Sequence, residues 1–235
     1  MKMNTIEQVI RDIKKGKMVI VVDDPSRENE GDLIAAAQDI TPEKVNFMAK
    51  FGRGLICVPM ENKRAERLGL HLMSKTPQDP FKTAWAVSVD AAKGITTGIS
   101  AHDRARTIKL LAKDTAAERD FAKPGHVFPL RSKRGGILVR AGHTEASVDM
   151  MRLAGKKAVA VICEIMNEHG SMARLPDLFK FASRHKLKVC TIEDLIKYRR
   201  QKEHLIEKAA QTRLPTPYGE FELFAYRSMI DDYQH

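Results

Sequence analysis

Cysteine is scarce in this 235-residue chain, which has three, and aromatic residues make up only 6% of it, with a single tryptophan. Cys57, Cys163 and Cys190 lie far apart, are odd in number and form no C-x-x-C pair. That pattern argues against a disulfide framework or a zinc knuckle and for reduced thiols. The shortage of aromatics leaves no stacking platforms beside basic residues, so the formal charge of +10 does not read as single-strand nucleic-acid binding. The surplus is also local: residues 61–140 hold sixteen basic and eight acidic side chains, and an anionic small substrate would need such charge too. Long hydrophobic runs are missing as well. Stretches such as 158–162 fall far short of the roughly 20 residues of a membrane-spanning helix, so neither membrane nor nucleic acid is an expected partner. The N-terminus, MKMNTIEQVI, has no apolar core followed by small residues and reads as an amphipathic helix, which makes a cytoplasmic location the expectation.

What is present, 43% hydrophobic and 30% charged residues, suffices for one large globular domain with a short appendage. Ile6, Val9, Ile10 and Ile13 recur at helical spacing, and Gly16 stops that pattern before the apolar run 18–22. The unit recurs where Thr41, as N-cap, and Pro42, at the first helical position, open a helix that closes on Gly52 ahead of the strand LICV at 55–58. Further strands are predicted at 85–89, 136–140, 158–164 and 188–191. Helices are predicted at 104–113, 145–154, 176–185 and from about 192 to 211. Interleaving of this kind predicts an α+β fold, a three-layer sandwich of one mixed sheet with helices on both faces. The polar connections 23–32, 93–104, 123–136 and 140–145 are the expected home of the chemistry, and the aperiodic segment 71–83, with two prolines, reads as a lid.

The loop DDPSRENEGD crowds Asp23, Asp24, Glu28, Glu30 and Asp32 into ten residues after an apolar strand. It reads either as a solvated acidic turn or as a site for magnesium or manganese, whose hard charge would relieve the repulsion. In an extended loop Glu28 and Glu30 would point the same way. A second constellation, RAGHTEASVD, ends a strand at Arg140 and begins a helix near Thr144. Gly142 permits close approach, Thr144 can cap, and the free helix N–H groups together with Arg140 suit a phosphate. His143 within it reads as a metal ligand, a proton shuttle or merely a capping residue. Glu164, after the apolar run 158–162, reads as a buried general base or as half of a buried salt bridge. Ser100 and Asp103 have capping-box spacing and are taken as structural. His126 lies on a connection stiffened by Pro124, Gly125 and Pro129.

The strings RENEGD (27–32), TTGISAHDR (96–104), KPGHVFPLR (123–131), AGHTEASVD (141–149) and CEIMNEHGSMAR (163–174) resemble, in order and spacing, the 3,4-dihydroxy-2-butanone 4-phosphate synthase family across about residues 5–200. The resemblance implies a mixed α/β sandwich acting as a homodimer with active sites at the interface. It also implies magnesium (or manganese) as cofactor, ribulose 5-phosphate as substrate, and a four-carbon phosphate and formate as products. By the same resemblance, Glu28 and His143 are metal ligands. Arg27, Glu28, Asp32, Arg140, Ala141, Gly142, His143, Thr144 and Glu164 bind substrate, and His126 and Glu164 are essential for catalysis. Lys123 and Ala141 depart from the family's usual arginine and glycine without removing a catalytic group. The segment 212–228, TRLPTPYGEFELFAYRS, resembles the opening of GTP cyclohydrolase II. No cysteine follows Cys190, so that family's zinc site is not expected. The expected division is a synthase domain over 1–211 and a truncated or vestigial tail over 212–235.

Overall fold

The computed structural model describes residues 2–74, 76, 78, 80–228 and 230. Residues 75, 77 and 79 of the expected lid lie outside that set. In chain order the elements are α1 (Ile6–Lys14), β1 (Val19–Val22), β2 (Gly31–Ala36), α2 (Pro42–Phe47), β3 (Cys57–Glu61), α3 (Asn62–Arg67), β4 (Val89–Ala91) and α4 (Ala101–Ala112). They continue with β5 (Phe121–Ser132), α5 (His143–Leu153), β6 (Ala160–Glu164), α6 (Leu175–His185), β7 (Val189–Thr191), α7 (Ile192–Lys202), β8 (Ile206–Thr216) and β9 (Gly219–Ser228).

Seven strands form one sheet in the order β4-β5-β3-β6-β2-β1-β7. β3 runs parallel to β5 and β1 to β7, whereas β1–β2, β2–β6, β3–β6 and β4–β5 are antiparallel. Alternate residues feed two cores. Ile20, Leu33, Val161 and Cys163 pack on one face with Met48, Ile108, Leu111 and Leu178, while Val21, Ile34, Ala160 and Ile162 pack on the other with Val9, Ile13, Met150 and Leu195. β1 is therefore apolar at every position because helices cover both of its sides. The expected three-layer sandwich is the observed one. Local signals hold where expected: Thr5 and Gln8 form a capping box, and Thr41 caps α2 with Pro42 at its start.

Three expectations need correction. The predicted strand 136–140 is a short 3₁₀ turn, because Gly135 and Gly136 both take positive φ and the Asp149 carboxylate accepts the Ile137 N–H. Conversely, β2 begins at Gly31, inside the supposed loop 23–32, and most of the supposed loop 123–136 is strand. β5 keeps its place despite Pro124 and Pro129 because β3 and β4 pair with it on either side. The last sandwich helix stops at Lys202, and β8 runs across residue 211 to pair with β9 in a separate hairpin. An isolated two-stranded hairpin contributes little stability, and this one leaves Phe221 and Leu223 about half exposed. Deletion from residue 204 onward is expected to move the melting temperature by less than about 4 °C, of the order of 1 kcal/mol or less, with the sandwich intact by circular dichroism. A drop of 10 °C or more would show that the hairpin is part of the core.

Candidate active site

β1 and β2 deliver the acidic loop to one end of the sheet. Asp23, at the loop's start, is 4% exposed and its two oxygens are taken. Oδ2 accepts the Glu28 N–H at 3.1 Å and Arg27 Nη1 at 3.0 Å, and Oδ1 accepts the Glu30 N–H at 2.8 Å. Asp23 is thus the brace that folds the loop, although its carboxylate lies within 4.8 Å of ligand atoms of Glu28 and His143. Asn29 at the tip sits in the left-handed region (φ 55°), and Arg174 Nη1 donates to the carbonyls of both Glu28, at 2.8 Å, and Asn29. Nothing in the spacing of the sequence marks Arg174 as the anchor of a loop 145 residues earlier. Replacing Arg174 with Gln is expected to weaken manganese binding about tenfold, by electron paramagnetic resonance titration, because partners that orient a ligand typically matter on that scale. Unchanged affinity would mean that Asp23 alone orders the loop.

α5 begins at His143 with Gly142 as N-cap, so Thr144 lies inside the first turn rather than capping it as expected. The His143 ring is 5% exposed and approaches the carbonyl of Val21 through Nε2 at 3.1 Å. A carbonyl only accepts, so Nε2 carries a proton and Nδ1 faces the carboxylates, 3.6 Å from Glu28 and 4.0 Å from Asp32. Burial opposes charge on His143, but Asp32, Glu28 and Asp23 outweigh it and push the ring up to about 9. Burial pushes Asp32 up to about 7, helped by Glu164, Glu28 and Glu30 and opposed by His143. Glu30 is raised by burial and by Glu28; burial would also raise Glu28, but His143 and Arg27 hold it below the usual range. The site retains protons that a divalent cation would displace. Once its proton is displaced, the Nδ1 lone pair beside the depressed Glu28 carboxylate is a donor set that fits magnesium or manganese.

The phosphate constellation also assembles. A Cβ on Gly142 would come within 2.5 Å of Arg140 Nη1 and 3.1 Å of Arg27 Nη2, so both guanidiniums converge on the start of α5, with Ala141 exposed at its edge. Arg140 is held by Glu145 Oε2 at 2.6 Å, the Phe81 carbonyl at 3.0 Å and Thr83 Oγ1 at 3.0 Å, and Arg27 stacks 5.0 Å from the Phe81 ring. The described end of the expected lid, 81–83, is therefore tied to both arginines. Glu164, directly opposite Asp32 in the β2–β6 register, accepts the Leu55 N–H at 2.8 Å. Gly54 is needed there, since a Cβ would lie 2.5 Å from Glu164 Oε2. Arg27, Glu28, Glu30, Asp32, Arg140, His143, Thr144 and Glu164 line one cleft of about 320 Å³, with Cys57, Trp85 and Leu130 as apolar wall. That volume suits a small phosphorylated molecule. Cys57 is buried and unpaired, and burial pushes its thiol well up, so it is protonated wall rather than nucleophile.

His126 is the exception. It sits on β5 four residues before Leu130, on the order of 13 Å along the strand, and is not among the lining groups. Its ring, 43% exposed, pairs with Asp90 instead. Ser100 caps α4 as expected, but the Asp103 carboxylate turns to Thr96 and Gly98.

The sequence profile of 3,4-dihydroxy-2-butanone 4-phosphate synthase matches residues 7–198. The chain belongs to that family. Riboflavin biosynthesis protein RibBA of Aquifex aeolicus is 59% identical over 231 residues, which are 97% of this chain and 57% of the Aquifex protein. A 3,4-dihydroxy-2-butanone 4-phosphate synthase of Neisseria meningitidis is 51% identical over 98% of this chain and 63% of its own length. The chain thus spans less than two thirds of these relatives. Among solved structures, RibBX, a two-domain synthase from A. baumannii, superposes with a TM-score of 0.90 at 46% identity over 97% of this chain and 67% of its own. A second crystal structure, a 3,4-dihydroxy-2-butanone 4-phosphate synthase in complex with two magnesium ions, gives 0.82 at 46% identity over 85% of this chain and 98% of its own. The Aquifex relative is named for riboflavin biosynthesis, and the Neisseria relative and both solved structures are named as synthases.

Proposed function

We propose that this chain is a lyase that converts D-ribulose 5-phosphate to L-3,4-dihydroxy-2-butanone 4-phosphate and formate, working in the cytoplasm as a homodimer with active sites at the subunit interface. The observation that carries the reading is the single cleft in which Glu28 and His143, suited to a cation, stand beside Arg27, Arg140 and the first turn of α5, suited to a phosphate, with Glu164 lining the same cleft. Magnesium, or manganese, held by Glu28 and His143, would supply Lewis-acid stabilisation of the negative charge that develops on the substrate's carbonyl and neighbouring oxygen. The arginines and the helix N–H groups hold the unreacting phosphate, so binding energy far from the reacting carbons fixes a small, reactive sugar in place. Asp32, buried and raised to about 7, offers a carboxyl poised to hydrogen-bond a sugar hydroxyl. Glu164, anchored by the Leu55 N–H, moves protons as enolisation, dehydration, skeletal shift and loss of one carbon proceed. His126, exposed and outside its own chain's cleft, serves the cleft of a second copy.

Atoms balance, because the five-carbon phosphate divides into a four-carbon phosphate and formic acid, the water lost in dehydration being returned on cleavage. Incubation with ribulose 5-phosphate and magnesium is expected to release formate in a one-to-one ratio to substrate consumed, read by a coupled formate assay. Substrate isomerised or cleaved without formate would replace this reading with another enolising enzyme acting at the same cleft.

A further inference from the structure

The Asp90–His126 pair is built with more care than a surface ion pair requires. Asp90 Oδ2 lies 2.7 Å from His126 Nδ1, and Oδ1 accepts the His126 backbone N–H at 3.0 Å, so both oxygens of a side chain only 9% exposed are committed to one residue. Three neighbours make the arrangement possible. The register of β4 against β5 shifts between Val89 and Asp90, and such irregularities re-aim a side chain. Gly125 lies so close that a Cβ there would strike the backbone of Val89 and Asp90. Gly98, at φ 97°, leaves the space in which a Cβ would collide with both Asp90 Oδ2 and His126 Nδ1. Its loop is pinned by Asp103, which accepts the N–H groups of Thr96 and Gly98 and the Thr96 hydroxyl.

A carboxylate at Nδ1 places the neutral ring's proton there and leaves the lone pair on Nε2. We infer that Asp90 is a positioning residue for the reaction: it holds His126 as the Nδ1–H tautomer, so that Nε2 is the atom that takes and returns the proton. The inference rests on the role given to His126 under the proposed function. In Asp90→Asn only one side-chain oxygen remains. If it keeps the backbone N–H, the new amide faces Nδ1 as a donor and drives the ring to the Nε2–H tautomer, which cannot accept a proton at Nε2. The loss expected from a wrong tautomer is large: the Asp-to-Asn change in the serine-protease triad costs about 10⁴ in kcat, and with a half-exposed ring we expect a loss of roughly 100-fold or more.

The test is a pair of measurements on the magnesium-loaded full chain. Nitrogen-15 NMR of the neutral His126 ring is expected to show a protonated Nδ1 and a bare Nε2 in the wild type, and the reverse in Asp90→Asn. Turnover in Asp90→Asn is expected to fall about 100-fold with KM within about threefold, and Asp90→Asn is expected to add nothing in a His126→Ala background. A wild-type ring protonated at Nε2 overturns the inference whether or not any variant folds, and leaves the role of His126 standing. So does a further loss from Asp90→Asn when His126 is already alanine. A His126→Ala enzyme with wild-type turnover would remove the proposed role of His126 itself, and this inference with it.

Discussion

Mixing two dead variants is expected to restore about a quarter of wild-type turnover. His126→Ala and Glu164→Ala should each lose about 100- to 10,000-fold, the usual range for removing a positioned proton carrier. Yet the two residues lie apart in this chain: Glu164 lines the cleft, and His126 stands half exposed on β5 beyond the lining groups. If His126 of one subunit completes the site of its partner, unfolding the two variants together and reassembling them at random makes about half the dimers mixed. Two-fold symmetry then gives each mixed dimer one doubly defective site and one wholly intact site. One intact site in two, in half the dimers, is the expected quarter. If both groups of a site belonged to one chain, every site in a mixed dimer would still carry a lesion. A reassembled mixture as inactive as its parents, with mixed dimers confirmed by native mass spectrometry, would place both groups in one subunit's site.

The second large effect is expected from the cation site, whose affinity for magnesium should climb steeply with pH. In the metal-free protein His143 is pushed up to about 9 and Asp32 to about 7. Both folded values lie above the unfolded ones, so this pair stabilises the metal-free fold most at low pH. That stability is lost as pH rises, through about 7 for Asp32 and about 9 for His143. Magnesium at Nδ1 must displace the His143 proton, so its association constant is expected to rise about tenfold per pH unit between 7 and 9, with a proton released. The stabilisation by magnesium over chelator should grow in step. At a concentration about 100 times its dissociation constant it is about 2.7 kcal/mol, or roughly 5–10 °C for a chain of this size. Glu28→Ala is expected to abolish the difference along with turnover, and excess chelator should do the same to the wild type. Calorimetry in two buffers of different ionisation enthalpy measures the proton. Affinity flat from pH 6 to 9 with no proton released would place the cation away from His143.

Much of the chemistry was legible because it is local. Five carboxylates within ten residues after an apolar strand read as a cation site or a solvated turn, and a glycine, a histidine and a threonine at a helix start next to an arginine suit an anion. Both readings landed in one cleft. The errors also have a common cause. Residues 31–32 and 123–132 carry glycine, proline, aspartate or histidine and read as connections, yet the strands they belong to, β2 and β5, each lie between two strands that satisfy their backbone. The run 136–140 has a strand's composition, but Gly135 just before it and Gly136 at its start both take positive φ, and it has no partner strand among the described residues. In the two strands, backbone hydrogen bonds to distant segments outweighed side-chain preference, whereas at 136–140 local turn bonds took their place.

The sequence by itself determined the two-sided burial of β1, the capped helix starts and the residue types of the site, since each depends on neighbours within a turn or a pleat. The order of the sheet decided the rest. It set Glu164 opposite Asp32 across 132 positions of chain, and it aimed His143 Nδ1 at the carboxylates by giving Nε2 to the Val21 carbonyl. It also brought Arg174 to the tip of the acidic loop and left His126 with Asp90 outside the cleft. Those contacts join residues tens to more than a hundred positions apart, and a one-residue slip of a strand would turn its side chains to the opposite face, which no local pattern in the chain can specify.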